Sequence, residues 1–294
     1  MSLADLLSSA ITAESSPKPR DDELDLFGIT DIGKVRQENQ DHFLIGTVHQ
    51  QLVMHGTSFP NPEQLKLRGE RFASVFLVAD GVGGTAGGRE ASQLTVETLA
   101  RYVSSSMQSF PWPGDGGNEE ELLASLRAAT REAHRVVRTE AAARGDSKMA
   151  TTMTFGVAVW PHFYVVQVGD SRFYYWADGK LQRVTRDQTL AQDLVDQGVL
   201  PAERLATSPL RNVLARAIGA DDATPEVTRI EMAQEGVGLF CTDGLTKHVS
   251  DEEISEAIAA SPSSEQLCRS LLKLTLDRGA TDNVTIVAAR VRKN

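Results

Sequence analysis

Four aspartates in this chain stand where an apolar run meets a turn. The run 75–79 stops at Asp80, which Gly81 follows; 164–169 leads into Asp170 and Ser171; 237–242 leads into Asp243 and Gly244. Asp282 and Asn283 reverse the order and open the run 284–291. A carboxylate at the end of a buried strand is costly to desolvate alone, so it needs a cation or several hydrogen-bond donors. Oxygen ligands without histidine or cysteine beside them suit hard divalent ions, Mg²⁺ or Mn²⁺, rather than zinc. Clustered, the aspartates would resist full ionisation unless cations joined them, and their charge balances two divalent ions. Two such ions about 3.5–4 Å apart can share and deprotonate a water for in-line attack. A phosphate ester, oxygen-rich and anionic, is the fitting target. Arg36 is its natural partner, because a guanidinium fork grips two oxygens. Any one of these aspartates alone is an ordinary turn or cap residue; the joint pattern carries the reading.

The elements that must hold these residues follow from composition and period. A short apolar run without alternation, as at 75–79, marks a strand covered on both faces. The glycines after it let the backbone approach whatever Asp80 holds. The chain opens with a flexible leader over residues 1–25, containing Ser15-Ser16-Pro17-Lys18-Pro19 and an acidic patch at 21–23. Strands are expected at 26–32, 42–48 and 72–79, with 51–55 pairing back and a turn-rich loop at 56–69. Helices are expected at 89–105 and 119–143, separated by a Pro/Gly-rich break at 110–118. Leu122, Leu126, Ala129, Ala133 and Val136 form the stripe of the second. Strands at 152–160 and 163–168 precede a hairpin, 172–176 with 180–185, turned by Asp178-Gly179. Residues 187–219 leave the strand pattern for short helical pieces. Strands return at 226–231 and 237–242, and Ser250-Asp251-Glu252-Glu253 is a capping box for a helix to 260. A helix at 263–278 and a strand at 283–291 close the order. Strands and helices are segregated, with no repeat and no linker, which points to α+β layers rather than an alternating wind.

A length of 294 residues suits one large domain or two average ones. The formal net charge of −10 argues against nucleic acid or an anionic membrane as partner. A phosphate-bearing substrate stays open, since bound cations invert the local field. Cys241 and Cys268 have no metal-ligand spacing and read as buried, reduced thiols. No run reaches the ~20 apolar residues of a membrane span. Asp5 stands where a signal peptide would carry positive charge, so a cytoplasmic protein is expected.

Five blocks occur in register: Arg36-Gln37-Glu38-Asn39-Gln40-Asp41, Val78-Ala79-Asp80-Gly81-Val82-Gly83-Gly84, Gly169-Asp170-Ser171-Arg172, Cys241-Thr242-Asp243-Gly244-Leu245, and Gly279-Ala280-Thr281-Asp282-Asn283-Val284-Thr285. Together they resemble the metal-dependent Ser/Thr protein phosphatases of the protein phosphatase 2C family, over about residues 26–292. The resemblance implies one catalytic domain at 26–292, a central antiparallel β-sandwich flanked by helix pairs in four layers, α/β/β/α. It also implies a binuclear Mg²⁺ or Mn²⁺ centre at one end of the sandwich. Asp80 would bridge the two ions, the Gly81 carbonyl would serve the first, and Asp243 and Asp282 would hold the second. Asp170, with Asp243, resembles the position of a third, weaker ion in bacterial members. Asp41 and Asn283 would hold metal-bound water, Arg36 would bind phosphate, and residues 187–222 resemble a substrate-sorting flap. Phosphoproteins and a Ser/Thr kinase are the implied partners of a monomer. Gln40 and Val82 depart from many eukaryotic members, which carry Glu and His there. The departures mark a bacterial subfamily and leave the general acid unassigned, with His42 and His248 the histidines to test.

Rival readings meet specific obstacles. Gly81, Gly83 and Ala86 mimic a dinucleotide fingerprint, but Asp80 would face the pyrophosphate and 101–105 lacks the expected acid. Gly169-x-Ser171 suggests a nucleophile elbow, yet Phe173 stands where glycine is needed. Aspartyl-phosphate chemistry at Asp80 would want an acid where Val82 stands. An inactive phosphoprotein-binding scaffold on the same fold would be marked by lost ligands, and none of Asp80, Asp170, Asp243 and Asp282 is lost.

Overall fold

The computed structural model describes residues 17–51, 54, 68–82, 86–106 and 119–292. Residues 1–16 of the expected leader, most of the 56–69 loop, Gly83, Gly84 and the break at 110–118 lie outside the described residues. Strands β1 (Leu24–Asp31), β2 (Asp41–Gln51) and β3 (Arg68–Val82) come first, then helices α1 (Ala86–Ser106) and α2 (Glu119–Arg144). Strands β4 (Ala150–Thr151), β5 (Met153–Val159), β6 (His162–Val168), β7 (Arg172–Ala177) and β8 (Lys180–Arg183) follow, and then helix α3 (Leu190–Asp196). The chain ends with β9 (Glu226–Glu231), β10 (Val237–Cys241), α4 (Asp243–Thr246), α5 (Asp251–Ala260), α6 (Ser264–Asp277) and β11 (Val284–Val291).

Two antiparallel sheets result. One runs β1-β11-β10-β7-β8; the other runs β2-β3-β5-β6-β9, with β4 paired to the end of β3. Residues 73–79 of β3 are buried without interruption, as a strand covered on both faces must be. One face of the second sheet packs under α1 and α2 through Leu77, Leu99, Leu126, Phe155 and Tyr164. The other face meets the first sheet through Phe76, Phe163, Phe173 and Phe240. The first sheet then packs on α5 and α6 through Ile254, Ile258, Leu267, Leu271 and Ile286. Three apolar seams separate four layers, so the architecture is the expected α/β/β/α sandwich.

Local chemistry sets the element ends. Asp178 and Gly179, at φ 51° and 73°, make the β7–β8 turn, where left-handed residues match the strand twist. Ser250 Oγ accepts from the Glu253 N–H while the Glu253 carboxylate accepts from the Ser250 N–H, closing the predicted capping box. One position of the α2 stripe is corrected: Val137, not Val136, is buried, because the step from Ala133 is four residues and not three. Residues 187–222 hold α3 and a short 3₁₀ turn at Ala202–Arg204. Both cysteines are free and buried, and burial pushes their thiols up to about 12. Among the described residues no helix is long and apolar enough to cross a membrane.

Candidate functional site

Antiparallel pairing alone brings the first two carboxylates together. Asp41 starts β2, Asp80 nears the end of β3, and the register sets them opposite one another. Asp170 follows β6, Asp243 opens α4 straight after β10, and Asp282 precedes β11. Both sheets therefore deliver acids to the same end of the sandwich. The mutual repulsion of Asp80 with Asp41, Asp243, Asp170 and Asp282 registers in its own proton affinity, which is raised well above the ordinary carboxyl value. Desolvation is the larger cause, although Asp80 keeps some surface open to solvent. Burial likewise lifts Asp41 to about 7 and Asp170 to about 8, with Asp243 adding to both. Asp243 is raised by burial too, against the pull of Lys247.

Asp282 behaves oppositely. Burial works to raise it, but hydrogen bonds from Arg36 and Lys247 prevail and hold it below the usual range. Arg36 Nε lies 2.6 Å from Asp282 Oδ1 and Nη2 lies 2.8 Å from Oδ2. Lys247 Nζ reaches Asp282 Oδ2 at 2.7 Å and Asp243 Oδ2 at 2.6 Å. The structure thus brings Arg36 into the cluster, with its fork closed on a carboxylate.

Hydroxyls and amides brace the acids. Thr242 Oγ1 donates to Asp41 Oδ2 at 2.9 Å and accepts from the Thr285 N–H. The Asp80 N–H donates to Thr152 Oγ1, and Thr152 shares a bond with Ser171. Asn283 turns out to be a clamp. Its Nδ2 donates to the Ile32 and Glu38 carbonyls and its Oδ1 accepts from the Gln40 N–H, so its amide holds the loop from 32 to 40. That loop fits against Asp282 through Gly33, at φ 74°, where a Cβ would stand 2.3 Å from the Asp282 carbonyl oxygen. Gly81 is equally tight against Gly88 at the start of α1.

The two histidines have other work. His42 Nδ1 meets Ser92 Oγ at 2.8 Å, and burial favours its neutral form. His248 Nε2 accepts the Thr281 N–H at 3.0 Å, steadying the turn before Asp282. Two further features escaped the sequence reading. Lys247 is one, although its i,i+4 spacing from Asp243 at a helix start was a usable signal. The other is the bidentate Arg172–Asp187 pair, at 2.8 and 2.6 Å, which ties β7 to the segment from 187 to 222. No local pattern announces that one. A cleft lined by Asp170, Arg172, Asp187, Arg211, Asp243 and Lys247 opens between that segment and the acids.

Whether a hard cation suits these residues is decided by two buried atoms. Asp41 Oδ1 and Asp243 Oδ1 are shielded from solvent and have no hydrogen-bond partner among the described residues. Such atoms are rare unless an ion or water completes them, and the donor set is all oxygen. As the side chains stand, no three acids, histidines or cysteines among the described residues close round one point. Asp282 faces the Arg36 guanidinium and the Lys247 ammonium, and Asp243 faces the Lys247 ammonium. In donor type the residues fit a hard divalent cation.

Relatives share this arrangement of sheets. The serine/threonine protein phosphatase PstP of Mycobacterium tuberculosis is 36% identical over 220 residues, 74% of this chain. This chain spans only 40% of that relative's length. A crystal structure of Mycobacterium tuberculosis PstP superposes with a TM-score of 0.73 at 31% identity, covering 92% of this chain and 99% of that one. A second, of the PstP catalytic domain in complex with two manganese ions, gives 0.70 at 30% identity, covering 92% and 99%. Residues 60–279 match the sequence profile of protein phosphatase 2C. On its motifs, its layered sheets and that match, the chain belongs to the protein phosphatase 2C family.

Proposed function

We propose that this protein hydrolyses phosphoserine and phosphothreonine in other proteins, using Mg²⁺ or Mn²⁺. The observation that carries the reading is the gathering of Asp41, Asp80, Asp170, Asp243 and Asp282 from both sheets, with buried carboxylate oxygens left unpartnered. The two manganese ions of the PstP catalytic domain support the choice of metal. Asp80 and the Gly81 carbonyl would hold the first ion, Asp80, Asp243 and Asp282 the second, and Asp170 with Asp243 a third. Two divalent ions, when bound, supply the positive charge that lets these carboxylates ionise and acidify a water for in-line attack on phosphorus.

The chain's own residues do the rest. Arg36 sits at the rim and holds Asp282 with Nε and Nη2, so Nη1 is its remaining nitrogen for a phosphoryl oxygen. Asp41, fixed by Thr242, orients water through its unpartnered Oδ1. His42 Nδ1 is engaged by Ser92 and His248 Nε2 by Thr281, so these ring nitrogens are not free to protonate the departing alkoxide. With Val82 beside Gly81, that proton is left to water or to another side chain. Residues 187–222, pinned at Asp187 by Arg172, form the flap over the cleft where a phosphorylated segment lies. A Ser/Thr kinase and its targets, in the cytoplasm, are the proposed partners of a monomeric catalytic domain, whose start is corrected from residue 26 to before β1. Leu24 and Asp25 pair with Val291 and Arg290, and Arg71 donates to the Pro19 carbonyl and to Asp21, because burial of the Arg71 guanidinium needs those acceptors.

Hydrolysis of a phosphothreonine peptide with Mn²⁺, with Mg²⁺ and with EDTA, beside Asp80→Asn, tests this. Metal-dependent turnover that the variant loses is expected. Peptide binding without turnover under either metal would instead assign a phosphoprotein-binding scaffold.

A further inference from the structure

Lys247 stands one helical turn after Asp243, and its ammonium bridges the two carboxylates proposed to hold the second ion. Asp282 has both oxygens engaged, Oδ1 by Arg36 and Oδ2 by Lys247 and Arg36. Asp243 has Oδ2 on Lys247 and Oδ1 buried without a partner. An ion entering between these aspartates therefore meets a cation already seated there. Arg36 reaches Asp282 alone, whereas Lys247 reaches both acids and so marks the shared position. Its backbone is fixed, since the Lys247 N–H donates to the Asp243 carbonyl at 2.8 Å. The four-carbon stem is flexible, and its head borders the open cleft with Asp170 and Asp187. The ammonium can leave the pair without unwinding the helix, yet it never diffuses away. A tethered competitor acts at a high effective concentration whatever the solution holds.

We propose that Lys247 is a built-in competitor of the divalent metal, so that loading of the Asp243–Asp282 position is an exchange of ammonium for ion. This rests on the proposed metal centre, and it deepens it by making the second ion weaker than the first. Apparent affinity falls by the fraction of molecules in which the acids are free of the lysine. A charged side chain that cannot let go as readily should lower it further. Arginine, with a planar fork suited to two carboxylate oxygens, is such a side chain.

Calorimetric titration of chelator-stripped protein with Mn²⁺ alone tests this for wild type, Lys247→Met and Lys247→Arg. Of the two tighter binding steps, the weaker should tighten about tenfold or more in Lys247→Met and weaken in Lys247→Arg, while the tightest step holds within about threefold. Thermal melting with and without Mn²⁺ gives a second readout. Lys247→Met should melt lower than wild type when stripped, because two acids then face each other, and should gain more on Mn²⁺ addition. Equal affinities in all three forms, weaker binding in Lys247→Met, or no Mn²⁺ binding by any form would overturn the proposal. Turnover of a phosphopeptide is recorded separately. The predicted order of affinities without wild-type turnover sinks the enzyme reading and keeps the competitor. Turnover without that order does the reverse.

Discussion

At Asp41 and Asp170 the proton would compete with the proposed metal. Burial lifts these carboxyls to about 7 and about 8, from an ordinary 3.8. The folded, metal-free protein thus binds protons that the unfolded chain releases near pH 4. The stabilisation is complete below that pH and is lost as pH rises through about 7 and 8. Chelator-treated protein should melt at steadily lower temperature from about pH 5 to pH 8, with a free-energy change on the order of a few kcal/mol. Asp170→Asn should flatten the fall, and Mn²⁺ should cancel it; a flat profile in chelator would contradict the placement of these acids. Asp80 and Asp243 were legible in the sequence because an apolar strand, an acid and a glycine follow one another. Asn283 was legible as a position but not as a clamp, since its partners at Ile32, Glu38 and Gln40 lie far back in the chain. The grip of Arg36 and Lys247 on Asp282 was hidden for the same reason.

Short elements, more than long ones, fix the geometry. Helix α4 is a single turn, yet it carries Asp243, and its Gly244 lies so close to the next loop that a Cβ would stand 1.9 Å from the Asn283 carbonyl oxygen. Gly244→Ala must push apart the two loops that hold Asp243 and Asp282. We expect a loss of about 3 kcal/mol or more in urea unfolding, together with weakened Mn²⁺ binding. A long helix offers the contrast. Val137→Ala, in the seam under α2, should cost about 2 kcal/mol and leave Mn²⁺ affinity unchanged, while Val136→Ala, only partly buried, should cost less than about 1. Equal losses at the two valines would put the stripe back where simple spacing placed it. Hairpin, capping box and helix pairs were legible because each is written within a few residues. The two-residue strand β4 was not, since it exists through pairing with the distant Gly81, Val82 and Ile218.

For the whole molecule, the gap between the sheets sets the gap between the acids. Phe163 stacks on Phe173 at 4.9 Å between ring centroids, and Phe173 meets Phe240 at 4.4 Å. Phe240 lies on β10 shortly before Asp243, and Phe76 lies on β3 shortly before Asp80. Phe240→Ala should cost about 3–5 kcal/mol and also loosen Mn²⁺ binding, which Val137→Ala leaves alone. Full Mn²⁺ affinity in Phe240→Ala would show that the acids are held locally instead. The layer sequence was legible from the segregation of strands and helices. Strand order was not, because β1 pairs with β11 and nothing in either segment names the other. That pairing has a consequence for how the protein comes into being. Leu24 lies opposite Val291, and β11 sits between β1 and β10, inside its sheet rather than at the edge. A chain emerging from the ribosome carries Asp41, Asp80, Asp170 and Asp243 long before the strand that completes their sheet. Until β11 slots in, β1 lacks its strand partner among the described residues and Asp282 is not yet beside Arg36. The acid cluster is thus completed by a strand that lies far along the chain from its β1 partner, so no shorter stretch can assemble it.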